Sequence, residues 1–240
     1  MLDMSTQGHR DNRLLAALPS EMLNLMGHDL RQISLAQRQA IYEPGAPIEE
    51  IYFPQSGIIS LLVVSKDGGA VETATIGREG AVGLQGALGK RLSFTRATAQ
   101  VAGRFSIIRA SALAHLVQDH ALLRDLITRY IEVLWTQAQQ LAASNAVHDA
   151  SARLCRWLLQ TSDRIGSEKL PLTQELIAQV LGIRRTTVTI MAQTLQRQGA
   201  ITYMRGRISI LDREKLERCA CECYAVMQQE KLPLKIGVTF

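Results

Sequence analysis

No apolar run in this chain is long enough to cross a bilayer; the longest, Ile58 to Val64, has the length of a strand. The first twelve residues, Met1 to Asn12, are polar and lack the apolar stretch of a secretion signal. A cytoplasmic protein of bacterial type, with no membrane partner, is therefore expected. Cysteine is absent before Cys155, and Cys155, Cys219, Cys221 and Cys223 all lie in the C-terminal half, so no disulfide framework is implied. The chain also lacks a nucleophile elbow, a phosphate loop and an HExxH motif, and its histidines have no carboxylates at useful spacing. Those absences argue against an enzyme, and no cofactor is expected.

Acidic residues are missing where they would matter most. From Leu176 to Leu211 there is no Asp or Glu, but there are five arginines: Arg184, Arg185, Arg197, Arg205 and Arg207. A solvated helical face usually mixes signs, so a stretch of one sign points to a polyanion. The same stretch has the spacing of a helix-turn-helix. Thr173 reads as the N-cap of a helix to Leu181 with Leu176, Ile177, Val180 and Leu181 at helical spacing, and Gly182 stops it. A second helix from about Arg184 to Gln198 turns Val188, Met191, Ala192 and Leu195 inward. It leaves Arg184, Arg185, Thr186, Thr189, Gln193 and Gln196 outward. Ile201 to Tyr203 and Arg207 to Leu211, around a turn at Arg205-Gly206, read as the two strands of a wing. Double-stranded DNA is the expected partner.

With 240 residues, a net charge of +5 and 47% hydrophobic residues, the remainder is globular and long enough for one or two domains. Arg13 to Met26 gives a short amphipathic helix with a restart at Pro19-Ser20, and Arg31 to Ile41 fits either helix or strand. From Tyr42 to Ile108, turn residues punctuate short β-rich runs at Ile51–Phe53, Ile58–Val64, Val71–Ile76, Thr95–Val101 and Phe105–Ile108. Regular short strands of this kind argue for an all-β roll or barrel, whose interior is either a ligand site or packed with side chains.

No Gly or Pro occurs between Ser111 and Gln160, so a long helical register follows. Ile127, Ile131, Leu134, Ala138, Leu141, Asn145 and His148 alternate at spacings of four and three, the pattern of a seam against a partner helix. The simplest partner is the same helix of a second chain, giving a homodimer. His148 reads as structural. A further helix begins near Asp149 or Ala150, and after the wing Asp212 caps a last helix running to about Gln229. Cys219, Cys221 and Cys223 would lie on that helix with no shared face for all three. Cys219 and Cys223 are then either small packing residues or a pair able to chelate a metal or sense oxidation. No metal is expected there.

The order of these parts resembles the CRP/FNR family of bacterial transcription regulators over about Leu14 to Cys223. The resemblance is carried by YEPGAPIEEIYFPQSGIISLL (42–62), GREGAVGLQGAL (77–88), RLCRWLL (153–159) and LTQELIAQVLGIRRTTVTIMAQTLQRQGAI (172–201). It implies an α+β fold. A cyclic-nucleotide-binding-like β-roll would span 13–120, a dimerisation helix 121–148, a winged helix-turn-helix domain 149–225 and a tail 226–240. It places Thr173 and Gln174 against phosphate and gives Arg185 the part of reading a guanine through a bidentate fork. Arg184 would serve phosphate or base, and Arg205 and Arg207 complete the DNA-contacting set with Thr186 and Thr189. The family's frequent Glu and second Arg on the recognition helix are Thr186 and Ile190 here, so a different operator half-site is expected, with Ile190 packing or meeting a thymine methyl.

The sensor departs further. Family members that bind cyclic nucleotides place a Gly-Glu pair in the roll for the ribose and an Arg-Ser or Arg-Thr pair for the phosphate. Here the first pair is Gly83-Leu84, and the second falls on Ser93 or Phe94, with Arg91 and Arg96 flanking at the wrong register. Binding of cyclic AMP by the usual mode should be weak or absent, and the effector site is unassigned. The iron-sulfur cluster of the fumarate-nitrate branch is excluded by the lack of N-terminal cysteines. RNA polymerase is a further partner of such regulators, met through an exposed roll loop such as Lys66 to Gly69. The alternative reading is a small-molecule or cyclic-nucleotide signalling module in which the roll is the working part.

Overall fold

A computed structural model describes residues 7–66, 69–89 and 92–229. Two short helices, α1 (Arg13–Ala16) and α2 (Ser20–Gly27), open the chain, with Pro19 at the restart. Asn12 fixes them. Its side-chain oxygen accepts from the backbone N–H of Leu14 and Leu15, while its amide donates to the carbonyls of Pro54 at 2.9 Å and Gly80 at 2.8 Å. Every polar atom of this fully buried side chain is thereby used, and leaving them unpaired would be costly.

The β region forms two sheets. Strands β1 (Arg31–Leu35), β7 (Gly103–Arg109) and β3 (Glu50–Pro54) make one, in the order β1-β7-β3. The other has the order β2-β6-β4-β5, from β2 (Ala40–Tyr42), β6 (Arg96–Val101), β4 (Ile58–Val64) and β5 (Ala70–Ile76). The ambiguous stretch after Leu30 is thus strand, decided by antiparallel pairing of Arg31–Leu35 with Gly103–Ile107. Leu35, Ile59, Ile76, Val82, Ala97, Ala99 and Phe105 are buried together, so the roll's interior is packed with side chains.

The helical register from Ser111 to Gln160 is broken twice. It is divided among helices α3 (Ala110–Asp119), α4 (Ala121–Val147) and α5 (Ala150–Ile165); α5 begins where a further helix is expected, and the break between α3 and α4 is the departure. His120 takes an extended conformation at the first break, and Asp149 caps α5 by accepting from the Ala152 N–H at 2.9 Å. With 27 residues, α4 is about 40 Å long.

The seam expected on α4 needs correction. Ile127 is 2% exposed and lies in its own chain's core with Leu14, Leu23, Leu113 and Leu123, while Ile131 and Leu134 pack against that core. Asn145 accepts a hydrogen bond from Arg153 Nη1 at 2.8 Å. A four-three repeat reads equally well one row over: Arg124, Thr128, Ile131, Trp135, Ala138, Ala142 and Asn145 are half-buried or exposed. Trp135, 66% exposed, stands at the centre of that row.

By backbone contacts the chain divides into two compact units. One contains the described residues up to Leu61 with Ala74–Leu134, and the other contains the described residues of Leu62–Thr73 and those from Trp135 on. The second unit has its own core of Trp157, Leu158, Ile177, Val188, Leu195, Ile208 and Leu216. Within it the buried Trp157 indole donates to Glu72 Oε1 at 3.1 Å. Helices α6 (Gln174–Leu181) and α7 (Arg185–Arg197) are followed by β9 (Ile201–Met204) and β10 (Arg207–Ile210), which pair with each other. A third strand, β8 (Lys169–Leu170), pairs with β10.

The last helix expected from Asp212 is also two. Asp212 caps α8 (Arg213–Cys219) through the Lys215 N–H at 3.0 Å, Ala220 turns extended, and α9 (Cys223–Gln229) follows. Arg213 binds Asp163 Oδ1 at 2.7 Å and Glu217 Oε1 at 2.9 Å, and the Tyr224 hydroxyl donates to Asp163 Oδ2 at 2.9 Å, fastening α8 and α9 to α5. The helix expected to carry all three of Cys219, Cys221 and Cys223 on one axis is therefore absent: the chain turns extended at Ala220 and re-enters helix only at Cys223. Of the tail expected at 226–240, the part beyond Gln229 lies outside the described residues, as do Asp67 and Gly68 of the loop proposed for RNA polymerase. No helix among the described residues is long and apolar enough to cross a membrane.

Candidate nucleic-acid interface

The helix-turn-helix is built by local chemistry. Thr173 Oγ1 accepts from the Leu176 N–H at 3.2 Å, capping α6. Gly182, at φ 64°, reverses the chain in the left-handed region, and the Ile183 N–H reaches back to the Ala178 carbonyl at 3.0 Å. This is the Schellman closure that glycine permits at a helix end. Arg184 then occupies the N-cap position of α7, one residue before the helix begins. Val188, Met191, Ala192 and Leu195 are buried, as the spacing predicts.

The outward face carries Arg184, Arg185, Thr186, Ile190, Gln193 and Gln196, all exposed. Ile190 is 63% exposed, so of the two readings of this residue packing is set aside and the outward one remains. Thr189 is half-buried; its hydroxyl donates to Gln174 Oε1 at 3.0 Å or to the Arg185 carbonyl at 3.1 Å. Gln174 and Thr189 are thereby joined across the turn.

The β9–β10 hairpin has a two-residue loop, with Met204 facing Arg207. Both loop residues are left-handed, Arg205 at φ 47° and Gly206 at φ 75°. That is the primed turn whose twist suits paired strands. Glycine adopts it freely, but for arginine it stores about 1–3 kcal/mol. A β-carbon on Gly206 would lie 3.4 Å from the Thr173 methyl, so the hairpin tip comes to the start of α6. Burial pushes the Tyr203 phenol above its ordinary value, while the Gln174 backbone and the Arg185 charge act the other way. Thr173, Gln174, Arg185, Thr189 and the hairpin turn therefore converge. Met204, 70% exposed beside Arg205, was not singled out by the sequence reading, since a wing strand carries no marker for which apolar residue faces out.

Among the described residues none of Arg184, Arg185, Arg197, Arg205 and Arg207 is held in an ion pair. Arg213, which lies outside the face, is surrounded by Asp163, Glu168 and Glu217. The guanidinium groups of the helix-turn-helix and hairpin thus remain uncompensated. A row of unpaired cations on an exposed face can neutralise phosphates and present forked donors to base edges.

The first unit shows how the nucleotide positions are used. Leu84 is 2% exposed within the core around α1 and α2, and Gly83 sits at φ 92°. Ser93 Oγ donates to the Thr95 carbonyl at 2.7 Å, Phe94 is 72% exposed, and Arg96 is held by Glu43 at 2.8 Å. Arg91 lies outside the described residues. A cleft of about 1100 Å³ opens beside Gly83 on this unit, lined by Arg31, Tyr42, Glu50, Tyr52, Arg109 and His115 among others. Tyr52 donates to Glu50 Oε2 at 3.2 Å, and its phenol is pushed up to about 12 by burial first and then by the Glu50 carboxylate.

The family model described as a cyclic nucleotide-binding domain matches residues 32–120, and that of a Crp-like helix-turn-helix domain matches residues 152–219. No curated protein matches the chain in sequence. Among solved structures, FixK2 from Bradyrhizobium japonicum is similar at 17% identity and a TM-score of 0.70, covering 80% of this chain and 98% of its own. The c-di-GMP responsive global regulator CLP of Xanthomonas campestris has 16% identity and a TM-score of 0.67, covering 80% of this chain and 99% of its own. A CRP family transcriptional regulator from Thermus thermophilus has 21% identity and a TM-score of 0.68, covering 78% of this chain and 96% of its own.

Proposed function

Because the chain belongs to the CRP/FNR family of transcription regulators, we propose that it acts as a homodimer reading a palindromic DNA site. The observation that carries this reading is the set of unpaired arginines on the exposed face of α7 and its hairpin. In a dimer joined along α4, two such faces would enter major grooves one helical turn, about 34 Å, apart. The joining row is the one centred on Trp135, where a large exposed aromatic offers the apolar area that an interface needs. Arg185 reads base edges, with Arg184, Thr186, Thr189 and Ile190 beside it. Thr173, Gln174, Arg205 and Arg207 position the protein on phosphate.

The roll is a sensor without the usual grip on cyclic AMP. Leu84 replaces the ribose-binding carboxylate with a buried alkyl group, and Arg96 is already neutralised by Glu43. The cleft beside Tyr42 and Tyr52 is the place for a different effector, one presenting both polar and apolar surface. RNA polymerase is the partner through which a bound dimer would act.

Selection from random double-stranded DNA at physiological salt tests the reading. Recovered sequences should share an inverted repeat with half-sites one helical turn apart. An absence of any common repeat would overturn it.

A further inference from the structure

The break between α4 and α5 and the step between α8 and α9 bring together three metal-ligating side chains. His148 follows the last turn of α4, its N–H bonded to the Ser144 carbonyl at 3.1 Å, and Cys221 and Cys223 flank the step between α8 and α9. Cys221 lies in the connection after the extended Ala220 and Cys223 is the first residue of α9, the two joined by a turn in which the Tyr224 N–H reaches the Cys221 carbonyl at 3.0 Å. One ligand atom from each of His148, Cys221 and Cys223 lies within 4.8 Å of the others, with both cysteines buried and the histidine half-buried.

Both sulfurs have hydrogen-bond partners. Gln140 Nε2 lies 3.1 Å from Cys223 Sγ, and the fully buried Ser144 hydroxyl lies 3.6 Å from Cys221 Sγ. The Arg156 guanidinium, 2% exposed, interacts electrostatically with Cys221 and Cys223, and its Nε has no hydrogen-bond partner among the described residues. Thiols that merely fill space behave as small hydrophobes and need no such company. Metal-bound thiolates do, because outer donors orient the ligands and tune the site.

We propose that His148, Cys221 and Cys223 bind a divalent metal ion of the zinc class through one imidazole nitrogen and two thiolates. Nitrogen and sulfur donors select zinc or cobalt over magnesium or calcium. Ligands about 2.0–2.3 Å from a tetrahedral ion are roughly 3.3–3.8 Å apart, so the site closes with shifts of about half an ångström per side chain. Water or the Glu222 carboxylate completes the tetrahedron. Glu222 is exposed and already lies 3.4 Å from His148 Nε2. The thiol protons leave to solvent as the ion binds, with no change of oxidation state. The imidazole separates this arrangement from a disulfide, which would have no use for it. The bound ion fastens the joint between α4 and α5 to the connector between α8 and α9. Cys219, exposed at the end of α8, takes no part.

Cobalt titration of the full-length protein, reduced and stripped of metal with a chelator, tests this. One equivalent per chain should produce a thiolate-to-cobalt charge-transfer band and the strong visible band of a tetrahedral site, both removed by zinc. The charge-transfer band should be weakened in C221S and C223S, lost in the double variant and unchanged in C219S. H148A should bind at least about tenfold more weakly. Q140A, which removes only an outer donor, should bind roughly 10–100-fold more weakly at unchanged circular dichroism, so the test survives misfolding of a cysteine variant. A reduced wild-type protein without the band, a band that persists in the double variant or disappears in C219S, or thiols that form a disulfide but take up no cobalt would each overturn the proposal.

Discussion

The Thr189 hydroxyl lies 3.0 Å from Gln174 Oε1, tying the first residue of α6 to the middle of α7. The tie holds the end of α6 proposed to meet phosphate in fixed register with the side of α7 proposed to read bases. It sets a division of labour between side chains that DNA binding can read.

Arg185→Ala should relax the base preference at one position of each half-site, costing about 1–3 kcal/mol of discrimination. Arg207→Ala should instead weaken all sequences alike and lower the slope of log affinity against log salt by about 1. Fluorescence anisotropy on matched and mismatched duplexes over a salt series distinguishes the two. A uniform loss in the Arg185 variant would remove that residue from base reading.

At Arg205 the same logic gives opposite signs for stability and binding. Replacing it with Gly releases the left-handed strain at φ 47°, so Arg205→Gly should raise thermal stability by about 1 kcal/mol or more. The same change removes a cation from the hairpin tip and should weaken DNA binding. Calorimetric melting and anisotropy on one preparation check both; a variant losing stability as well as affinity would mean that the arginine side chain holds the turn.

What the sequence made legible was local. Thr173, Gly182 and the buried row from Val188 to Leu195 each follow from spacing and backbone preference within a turn or two, and the structure places them as read. The strands at Ile58–Val64 and Ala70–Ile76 were bounded by their turn residues for the same reason. The breaks at His120 and Ala220 were not legible, since neither Gly nor Pro marks them and tertiary packing stops the helix. The expected α4 seam includes Ile127, which its own chain buries, because Ile127 and Trp135 both belong to four-three repeats. Only packing of Ile127 into its own core decides between them. The meeting of His148 with Cys221 and Cys223 depends on the break at Ala220 and on tertiary packing, so no spacing rule could find it.

At the former nucleotide position, buried Leu84 makes a simple restoration impossible. Leu84→Glu places an unpaired carboxylate in an apolar core and should cost about 3 kcal/mol or more, without conferring cyclic AMP binding. Differential scanning calorimetry and titration calorimetry against cyclic AMP measure the two effects. Tight binding by the unaltered protein would overturn the reading of the roll.

His9 supplies a pH dependence. Its Nδ1 lies 2.7 Å from Ser106 Oγ, and burial lowers its pKa below the ordinary 6.5. The unfolded chain therefore takes up a proton that folded His9 resists as pH falls below 6.5. Stability from this residue is fully present above that value and is lost as pH drops toward the folded pKa. The slope of Tm against pH between about 7 and 5 should be smaller in His9→Gln than in the wild type. Equal slopes would assign the acid sensitivity to other groups.

The proposed dimer contact at Trp135 is tested by a paired substitution that separates assembly from folding. Trp135 is 66% exposed in the single chain, so its removal leaves the chain's own core intact. Trp135→Ala should shift the protein toward monomer in sedimentation at low micromolar concentration while unfolding of the isolated chain changes little. Ile127→Ala should do the reverse: its side chain is 2% exposed among core leucines, and the cavity left behind costs about 2–5 kcal/mol with the dimer contacts untouched. DNA affinity separates them again, because losing the partner removes one of two half-site contacts and should weaken binding to a full palindrome far more than to a single half-site. If Trp135→Ala remains a dimer and Ile127→Ala dissociates, the joining row is the one containing Ile127, and the orientation of α4 must be revised.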